Sequence, residues 1–255
     1  MIDLHCHILP GLDDGAKTIQ DSLEMARQAV REGITAIVAS PHHRNHHYIN
    51  RKPIIEQKVA ELNHVLQQEN IPLEILVGQE NRIVGELAED LGTTDDIATV
   101  NHKNYLLIEF PTNHVPNYSE QLFYQLQMLG LTPVIVHPER NTAITEDPDK
   151  LYQLIEKGAI SQVTAASIAG AFGKKIQKFS LQLLESNLSH VIASDAHNVT
   201  NRSFKMREAF SVIEKEFGNE FVYMLHENAE LIAEGNMIYR EHPEKIKRKK
   251  FLGIF

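Results

Sequence analysis

The chain has 255 residues, 42% of them hydrophobic and 23% charged, with a formal net charge of -9 at pH 7. Its length and apolar content suffice for a single domain, 1–255, with a large core. The negative charge argues against general nucleic-acid binding, so we expect no nucleic acid as a direct ligand. One cysteine, Cys6, excludes an internal disulfide and fits a reducing compartment. With no evident secretory signal or membrane-spanning run, the sequence predicts a cytoplasmic protein.

Short apolar runs alternate with amphipathic stretches along the chain. The apolar runs predict strands at 2–7, 34–40, 73–79, 104–110, 132–137, 160–165 and 190–195. Apolar residues at three- and four-residue steps predict helices at 21–32, 53–69, 118–129, 148–157 and 174–186. Gly33, Gly130 and Gly158 stand where three of these helices should end. The alternation predicts an α/β fold with a parallel sheet, and its seven strands favour a TIM-like (β/α)7 barrel.

Nine imidazole and carboxylate side chains come soon after these apolar runs. They are His5, His7, Asp14, His42, Glu80, Glu109, His137, Asp195 and His197. A barrel of parallel strands would bring them together at one end, since all the strands finish there. Side chains alternate along a strand, so His5 and His7 should share a face while Cys6 points away as a packing residue. Each residue alone has a structural explanation, but nine together favour a metal site.

Imidazoles mixed with carboxylates, without a usable thiolate, suit Mn²⁺, Fe²⁺ or Zn²⁺ at an open site. More than four ligands imply more than one ion. Adjacent ions bind phosphate oxygens and activate water, which predicts hydrolysis without a protein nucleophile. Arg140 and Arg202 are candidate phosphate donors, although either could form a surface ion pair instead. His43 is a candidate proton donor, although it could merely line the rim.

Two other phosphate chemistries are poorly supported by the sequence. A cysteine-dependent phosphatase needs an arginine six positions after its nucleophile, and here Leu12 stands at that distance from Cys6. The run from Gly170 to Lys175 lacks the length and the hydroxyl of a nucleotide-binding phosphate loop.

In combination these motifs resemble the polymerase-and-histidinol-phosphatase (PHP) superfamily, and within it the bacterial CpsB/CapC type of tyrosine-protein phosphatase. The resemblance covers nearly the whole chain. The matching runs are His5-Cys6-His7, Gly11-Leu12-Asp13-Asp14-Gly15, Ser40-Pro41-His42-His43, the segment around Glu80, Glu109, His137-Pro138-Glu139-Arg140, Gln162-Val163-Thr164-Ala165, Phe172-Gly173-Lys174-Lys175 and Ser194-Asp195-Ala196-His197.

The resemblance implies a distorted barrel of seven strands with a trinuclear site, in which manganese is the usual ion and Fe²⁺, Co²⁺ or Zn²⁺ are alternatives. The implied ion sets are His5, His7, Glu80 and Asp195; Glu80, Glu109 and His137; and Asp14, His42 and His197. Arg140 and Arg202 match the family's phosphate-stabilising arginines. The implied substrates are phosphotyrosine proteins, including a bacterial tyrosine kinase that controls capsule and exopolysaccharide synthesis.

Several alternatives stay open at this point. The same cluster could serve histidinol phosphate or another small phosphomonoester, and a degenerate barrel could act only as a binding module. An oligomer is compatible with the sequence. The basic C-terminal tail at about 241–255 is either a solvated segment or a docking element for an acidic partner or a membrane surface. Loops 44–50 and 113–118 are expected to set the depth of the site's mouth, and with it the preference for tyrosine.

Overall fold

The computed structural model describes residues 1–246. Their nine strands are β1 (Ile2–Cys6), β2 (Ala36–Ala39), β3 (His42–His43), β4 (Glu74–Val77), β5 (Glu80–Arg82), β6 (Tyr105–Glu109), β7 (Thr132–Val136), β8 (Ile160–Thr164) and β9 (Val191–Ala193). All pairings are parallel, in the orders β1-β2-β4 and β3-β5-β6-β7-β8-β9. The prediction of an α/β fold with parallel strands is therefore confirmed.

Two predicted strands are each followed by a second, short strand that the sequence reading missed. The run 34–40 became β2, and β3 follows it after Pro41; the run 73–79 became β4, and β5 follows it after Gly78. Proline has no N–H for a sheet ladder, which explains the first break. At the second, a Cβ added to Gly78 would lie only 2.3 Å from Cγ1 of Val38, so the neighbouring strand approaches too closely for any side chain.

The two sheets are linked through the segment that follows β9. The amide of Asp195 donates to the His5 carbonyl at 2.8 Å, and the amide of His7 donates to the Ala196 carbonyl at 2.9 Å. Cys6 and Ala196 form an isolated parallel bridge. The end of β1 is thereby held beside the residues that leave β9.

Ten α-helices lie among the described residues. They are α1 (Ile19–Arg31), α2 (Lys52–Gln68), α3 (Leu87–Thr93), α4 (Ser119–Met128), α5 (Thr142–Glu146), α6 (Asp149–Glu156), α7 (Ala165–Ile168), α8 (Lys174–Glu185), α9 (Met206–Phe217) and α10 (Asn219–Glu234). The five predicted helices correspond to α1, α2, α4, α6 and α8 within two residues at each end. None of the helices in residues 1–246 has the length and apolar character needed to span a bilayer.

Local sequence accounts for where several helices begin and end. At the start of α1 the Thr18 side chain accepts from the Asp21 amide while Asp21 accepts from the Thr18 amide, a reciprocal cap. Gly33, Gly130 and Gly158 adopt φ values of 85°, 79° and 99° just after α1, α4 and α6, as predicted.

The end of the described chain packs on the helical side of the fold. The amide of Glu244 donates to the Ser186 carbonyl at 2.8 Å. Lys245 lies 3.4 Å from Asp149 and 5.1 Å from the centre of the Tyr152 ring. Most of the predicted basic tail, residues 247–255, lies outside the described residues.

Candidate metal centre

The predicted ligands gather at the C-terminal ends of the strands. They are His5 on β1 and His7 after it, Asp14 before α1, His42 on β3, Glu80 on β5, Glu109 on β6, His137 after β7, and Asp195 and His197 after β9. Three groups have ligand atoms within 4.8 Å of one another: His7, Asp14, His42 and His197; His5, His7 and Glu80; and His42, Glu80 and Glu109. The fold thus assembles residues that are up to 192 positions apart, from His5 to His197.

Glu80 is the central carboxylate of this cluster. Its Oε2 lies 2.5 Å from Nδ1 of His42, 3.6 Å from Nε2 of His7 and 3.7 Å from Nε2 of His5. Its other oxygen, Oε1, lies 2.8 Å from Nε2 of His137. The side chain is fully buried, so both oxygens face imidazole nitrogens instead of water.

Two aspartates complete the cluster on either side of the histidines. Oδ1 of Asp195 lies 3.3 Å from Nε2 of His7, and the residue is buried. Oδ1 of Asp14 lies 3.4 Å from Nε2 of both His42 and His197. The Asp14 side chain is 42% exposed, which puts it at the mouth of the site.

The geometric groups agree in part with the ion sets implied by resemblance. Asp14, His42 and His197 occur as one close group together with His7, whereas His5, His7 and Glu80 form another without Asp195. In the third group His42 stands where His137 was expected, while His137 contacts the central carboxylate.

Two of the site residues leave their strands in a left-handed backbone conformation. His137, directly after β7, has a φ of 37°, and Asp195, soon after β9, has a φ of 51°. Such angles cost about 1 to 3 kcal/mol in a residue other than glycine, and they persist where surrounding contacts enforce them. Here they turn the chain sharply at the strand ends that carry the cluster.

The structure adds two partners of the histidines that the sequence pattern does not predict as site residues. Nδ1 of His7 lies 2.6 Å from the buried carboxylate of Asp13, and Nδ1 of His5 lies 3.0 Å from the Gln162 side-chain oxygen. Both rings therefore direct Nε2 into the cluster. Asp13 could have been predicted as a site residue, because it adjoins the predicted ligand Asp14. Gln162 could not, because nothing in its spacing indicates a contact with His5, 157 positions away.

The Asp13 carboxylate connects three segments of the site. Besides contacting His7, it accepts from the amide of Gly15 at 2.9 Å and from the amide of His42 at 3.0 Å. A Cβ at Gly15 would lie 2.1 Å from the His7 carbonyl oxygen, so only glycine lets this turn close against β1.

We expect Asp13→Asn to lower metal affinity by about 10- to 100-fold, the usual cost of losing a carboxylate that orients a ligand imidazole. The amide keeps the size of the side chain but loses the charge that fixes Nδ1 of His7. Titration of metal into the variant, monitored by bound metal, measures the change. An affinity equal to that of the unmodified chain would show that Asp13 does not orient a ligand.

Charge within the cluster is strongly coupled. Burial lowers the pKa of His42, but the adjacent Glu80 outweighs it and raises that pKa to about 11. Burial likewise opposes ionisation of Glu80, yet the imidazoles around it hold its pKa well below the usual range. For Glu109, burial and the negative charge of Glu80 both raise the pKa. The anions of this cluster therefore attract positive charge.

Four atoms at the centre are buried without a hydrogen bond of normal geometry among the residues described: Nδ1 of His42, Oε2 of Glu80, Oε2 of Glu109 and Nε2 of His197. Each lies near an ionisable partner instead: Nδ1 of His42 faces Oε2 of Glu80 at 2.5 Å, Oε2 of Glu109 lies 3.2 Å from Nη2 of Arg82, and Nε2 of His197 lies 3.4 Å from Oδ1 of Asp14. Cations bound among these residues would satisfy these atoms, and His197 belongs to a different close group from Glu80 and Glu109. Imidazole nitrogens and carboxylate oxygens are the ligands of first-row divalent ions, so the residues present fit a metal centre.

Both predicted arginines reach the cluster. Arg140 donates from Nη1 to Oδ2 of Asp195, and its guanidinium lies 5.5 Å from the centre of the Phe172 ring. Arg202 donates from Nη1 to Oδ2 of Asp14 at 2.8 Å. Each side chain is about one-third exposed, at 34% and 33%, so an incoming anion could reach their remaining N–H groups.

His43, the predicted proton donor, does not reach the cluster. It follows His42 on β3 and is 1% exposed, with neither ring nitrogen in a hydrogen bond of normal geometry within residues 1–246. Burial and the positive charge of Arg44 lower its pKa to about 4. Alternation along the strand explains the difference, because consecutive side chains face opposite ways. The expectation that His43 donates a proton at the site is therefore not supported by its position.

Cys6 lies where alternation predicted. It is fully buried, and its Sγ is 3.4 Å from the Ala196 carbonyl oxygen. Burial raises the pKa of the thiol well above its ordinary value, which keeps it protonated.

Known proteins resemble this chain along its whole length. Residues 1–234 match the family described as capsular polysaccharide synthesis, CpsB/CapC. The chain is 54% identical to the tyrosine-protein phosphatase YwqE of Bacillus subtilis and 41% identical to the putative tyrosine-protein phosphatase CapC of Staphylococcus aureus, covering all of each protein. It is 31% identical to the tyrosine-protein phosphatase CpsB of Streptococcus agalactiae, over 93% of this chain and all of that one.

Solved structures give the same relationship. The chain matches one from a study of YwqE from Bacillus subtilis and CpsB from Streptococcus pneumoniae, described as unique metal-dependent tyrosine phosphatases. The TM-score is 0.95 at 54% identity, covering 97% of this chain and all of the other. An organophosphorus hydrolase of Deinococcus radiodurans shares the fold alone, with a TM-score of 0.56 at 14% identity over 91% and 92% of the two chains. The chain therefore belongs to the CpsB/CapC family.

Proposed function

We propose that this protein is a metal-dependent protein-tyrosine phosphatase. The observation that carries the proposal is the cluster around Glu80, beside two partly exposed arginines. Its imidazoles and carboxylates come from separate strands and enclose buried atoms that have no hydrogen bond of normal geometry within residues 1–246. Relatives that are 54% and 31% identical are named tyrosine-protein phosphatases. A cation-binding centre with donors for phosphate oxygens is suited to hydrolysing a phosphate ester.

The proposed architecture is a distorted (β/α)7 barrel of the PHP type. Because β2 and β3, and likewise β4 and β5, are separated by two residues, each pair counts as one interrupted strand of the seven expected. The amide contacts between the end of β1 and the residues after β9 support closure of the ring.

We propose that all nine predicted residues bind metal and that two or three ions occupy the site. Manganese is the ion we expect, with Fe²⁺, Co²⁺ and Zn²⁺ as alternatives for the same ligand types. When bound, such ions neutralise phosphate oxygens and lower the pKa of a water molecule, which supplies the nucleophile. Glu80 would help to hold the ions through either oxygen, since both face imidazole nitrogens.

The arginines would hold the phosphate at the rim. Arg140 and Arg202 each use one N–H group on a cluster carboxylate, which fixes the guanidinium and leaves other N–H groups for substrate. In the reaction they would stabilise the charge that develops on the phosphate oxygens.

A tyrosine leaving group fits this site. A phenol has a pKa of about 10, so it leaves with less help from a proton donor than a serine alkoxide needs. This matters because His43, the predicted donor, is buried away from the cluster. In loop 44–50 the Tyr48 ring lies nearly parallel to His42, with centres 6.1 Å apart, and offers an aromatic wall at the mouth.

The substrates we propose are phosphotyrosine proteins of the cytoplasm, including a tyrosine kinase that controls capsule or exopolysaccharide synthesis. The family description as capsular polysaccharide synthesis proteins supports this role.

A substrate panel tests the function. Phosphotyrosine peptide, phosphoserine peptide of equal sequence and histidinol phosphate are compared by kcat/KM, with metal content measured on the same sample. We expect phosphotyrosine to be preferred and a chelator to abolish turnover. Preference for histidinol phosphate would favour the small-phosphomonoester alternative, and full activity in metal-free protein would exclude the metal mechanism.

Metal binding should release protons. The pKa values of His7 and His42, about 9 and about 11 in the metal-free cluster, mean that both imidazoles hold an extra proton at pH 7. A metal binds only the neutral ring, so binding must expel these protons, and affinity should fall as pH falls. Calorimetry in buffers of different ionisation enthalpy measures the release. An affinity that is flat between pH 6 and pH 8, with no released protons, would contradict this coupling.

A further inference from the structure

A groove of about 890 Å³ begins beside Arg140 and runs between α5 and α8. Neither the proposed metal centre nor the capture of a phosphate accounts for it. Its wall includes Pro148, Lys175, Ile176, Lys178, Phe179 and Ile246.

The groove is continuous with the proposed phosphate site. Arg140 lies in its wall and also donates to Asp195 in the cluster. A phosphate held by Arg140 would therefore lie at one end of the groove. An extended peptide advances about 3.3 Å per residue, so the residues next to a bound phosphotyrosine would reach the groove within a few positions.

The groove has an apolar floor and a positively charged rim on one side. Phe179 and Ile176 are partly buried, while Lys175 and Lys178 are exposed, and neither lysine forms an ion pair within residues 1–246. Glu139 is fully buried, and its Oε1 accepts from the Thr164 amide at 3.1 Å and the Ser167 hydroxyl at 2.6 Å. That hydrogen bonding directs its carboxylate into the fold. The free lysines favour an acidic side chain at their rim.

We infer that this groove binds the residues that flank the phosphotyrosine, accepting an apolar side chain against Phe179 and Ile176 and an acidic side chain beside Lys175 and Lys178. This inference rests on the proposed function. It narrows the substrate class to phosphotyrosine segments that are both apolar and acidic near the modified residue.

Four phosphotyrosine peptides test this inference. One flanking position is leucine or serine, and another is glutamate or lysine, which gives the four combinations. Free phosphotyrosine is included as the substrate without flanks. We expect kcat/KM to be about tenfold higher for the leucine and glutamate peptide than for the serine and lysine peptide. Turnover of free phosphotyrosine tests the proposed function separately, since that substrate does not enter the groove.

Two variants of the protein test whether the groove causes the preference among the peptides. Lys175→Glu combined with Lys178→Glu should reverse the preference between glutamate and lysine peptides, whereas Lys215→Glu on α9 is an exposed control with the same kind of charge change. Thr145→Trp, which adds bulk to the groove wall, should remove the preference for leucine. The inference is overturned if all four peptides react equally. It is also overturned if the double variant and the control show the same preferences.

Discussion

Glu80→Gln should lose both bound metal and phosphatase activity, with a larger loss than any other single change at the site. The carboxylate contacts four imidazoles through its two oxygens, and the amide keeps the shape but removes the negative charge. Loss of a residue that only orients a ligand costs about 10- to 100-fold, so loss of a carboxylate that would itself hold the metal should exceed that. Elemental analysis and turnover of phosphotyrosine peptide, measured on one sample, give the result.

Cys6→Ser is the matched control, because it alters a buried residue of β1 between two predicted ligands. Its side chain contacts Ala196 on the opposite side of the strand from the cluster. Metal content and turnover should both be largely kept. If Glu80→Gln retained full metal and activity, the central role of that carboxylate would be wrong; if Cys6→Ser lost activity with metal retained, a thiol mechanism would have to be considered.

The residues that gather at this site could be predicted because each comes soon after an apolar run in the local sequence. An apolar run followed by histidine or carboxylate marks a strand end, and parallel strands bring such ends together without any need to know their exact register. Alternation along a strand then assigned faces correctly for Cys6. The same rule should have excluded His43, which adjoins His42 on β3 and faces the other way.

Other features depended on packing that a single segment does not reveal. The predicted strand 34–40 gave no sign that β3 would follow beyond Pro41, since a two-residue strand is too short to carry a periodic pattern. The predicted helices do not include α9 and α10, although buried Leu225, Ala229 and Ile232 of α10 have helical spacing. Contacts such as Gln162 with His5 join distant positions whose residue types are common, so only the fold identifies them.

Replacing either arginine should lower the rate of phosphotyrosine hydrolysis without changing the metal content. We expect Arg140→Ala and Arg202→Ala each to lower kcat on phosphotyrosine peptide by about 100-fold or more, the usual cost of removing one preorganised donor to developing charge. Each guanidinium already donates to a cluster carboxylate, to Asp195 or to Asp14, so its position is fixed before substrate arrives. Steady-state kinetics on protein of measured metal content gives kcat and KM separately.

Arg27→Ala controls for loss of a surface arginine, because Arg27 pairs only with exposed Glu69 at 2.9 Å among its described ion-pair partners. Such pairs contribute about 0 to 1 kcal/mol, and kinetics should not change. A rise in KM with unchanged kcat in the Arg140 or Arg202 variant would mean that the guanidinium binds substrate and transition state equally. A fall in metal content would instead mean that the arginine maintains the cluster, because Asp195 or Asp14 no longer holds its position without it. Only a loss of kcat at full metal content supports stabilisation of the transition state.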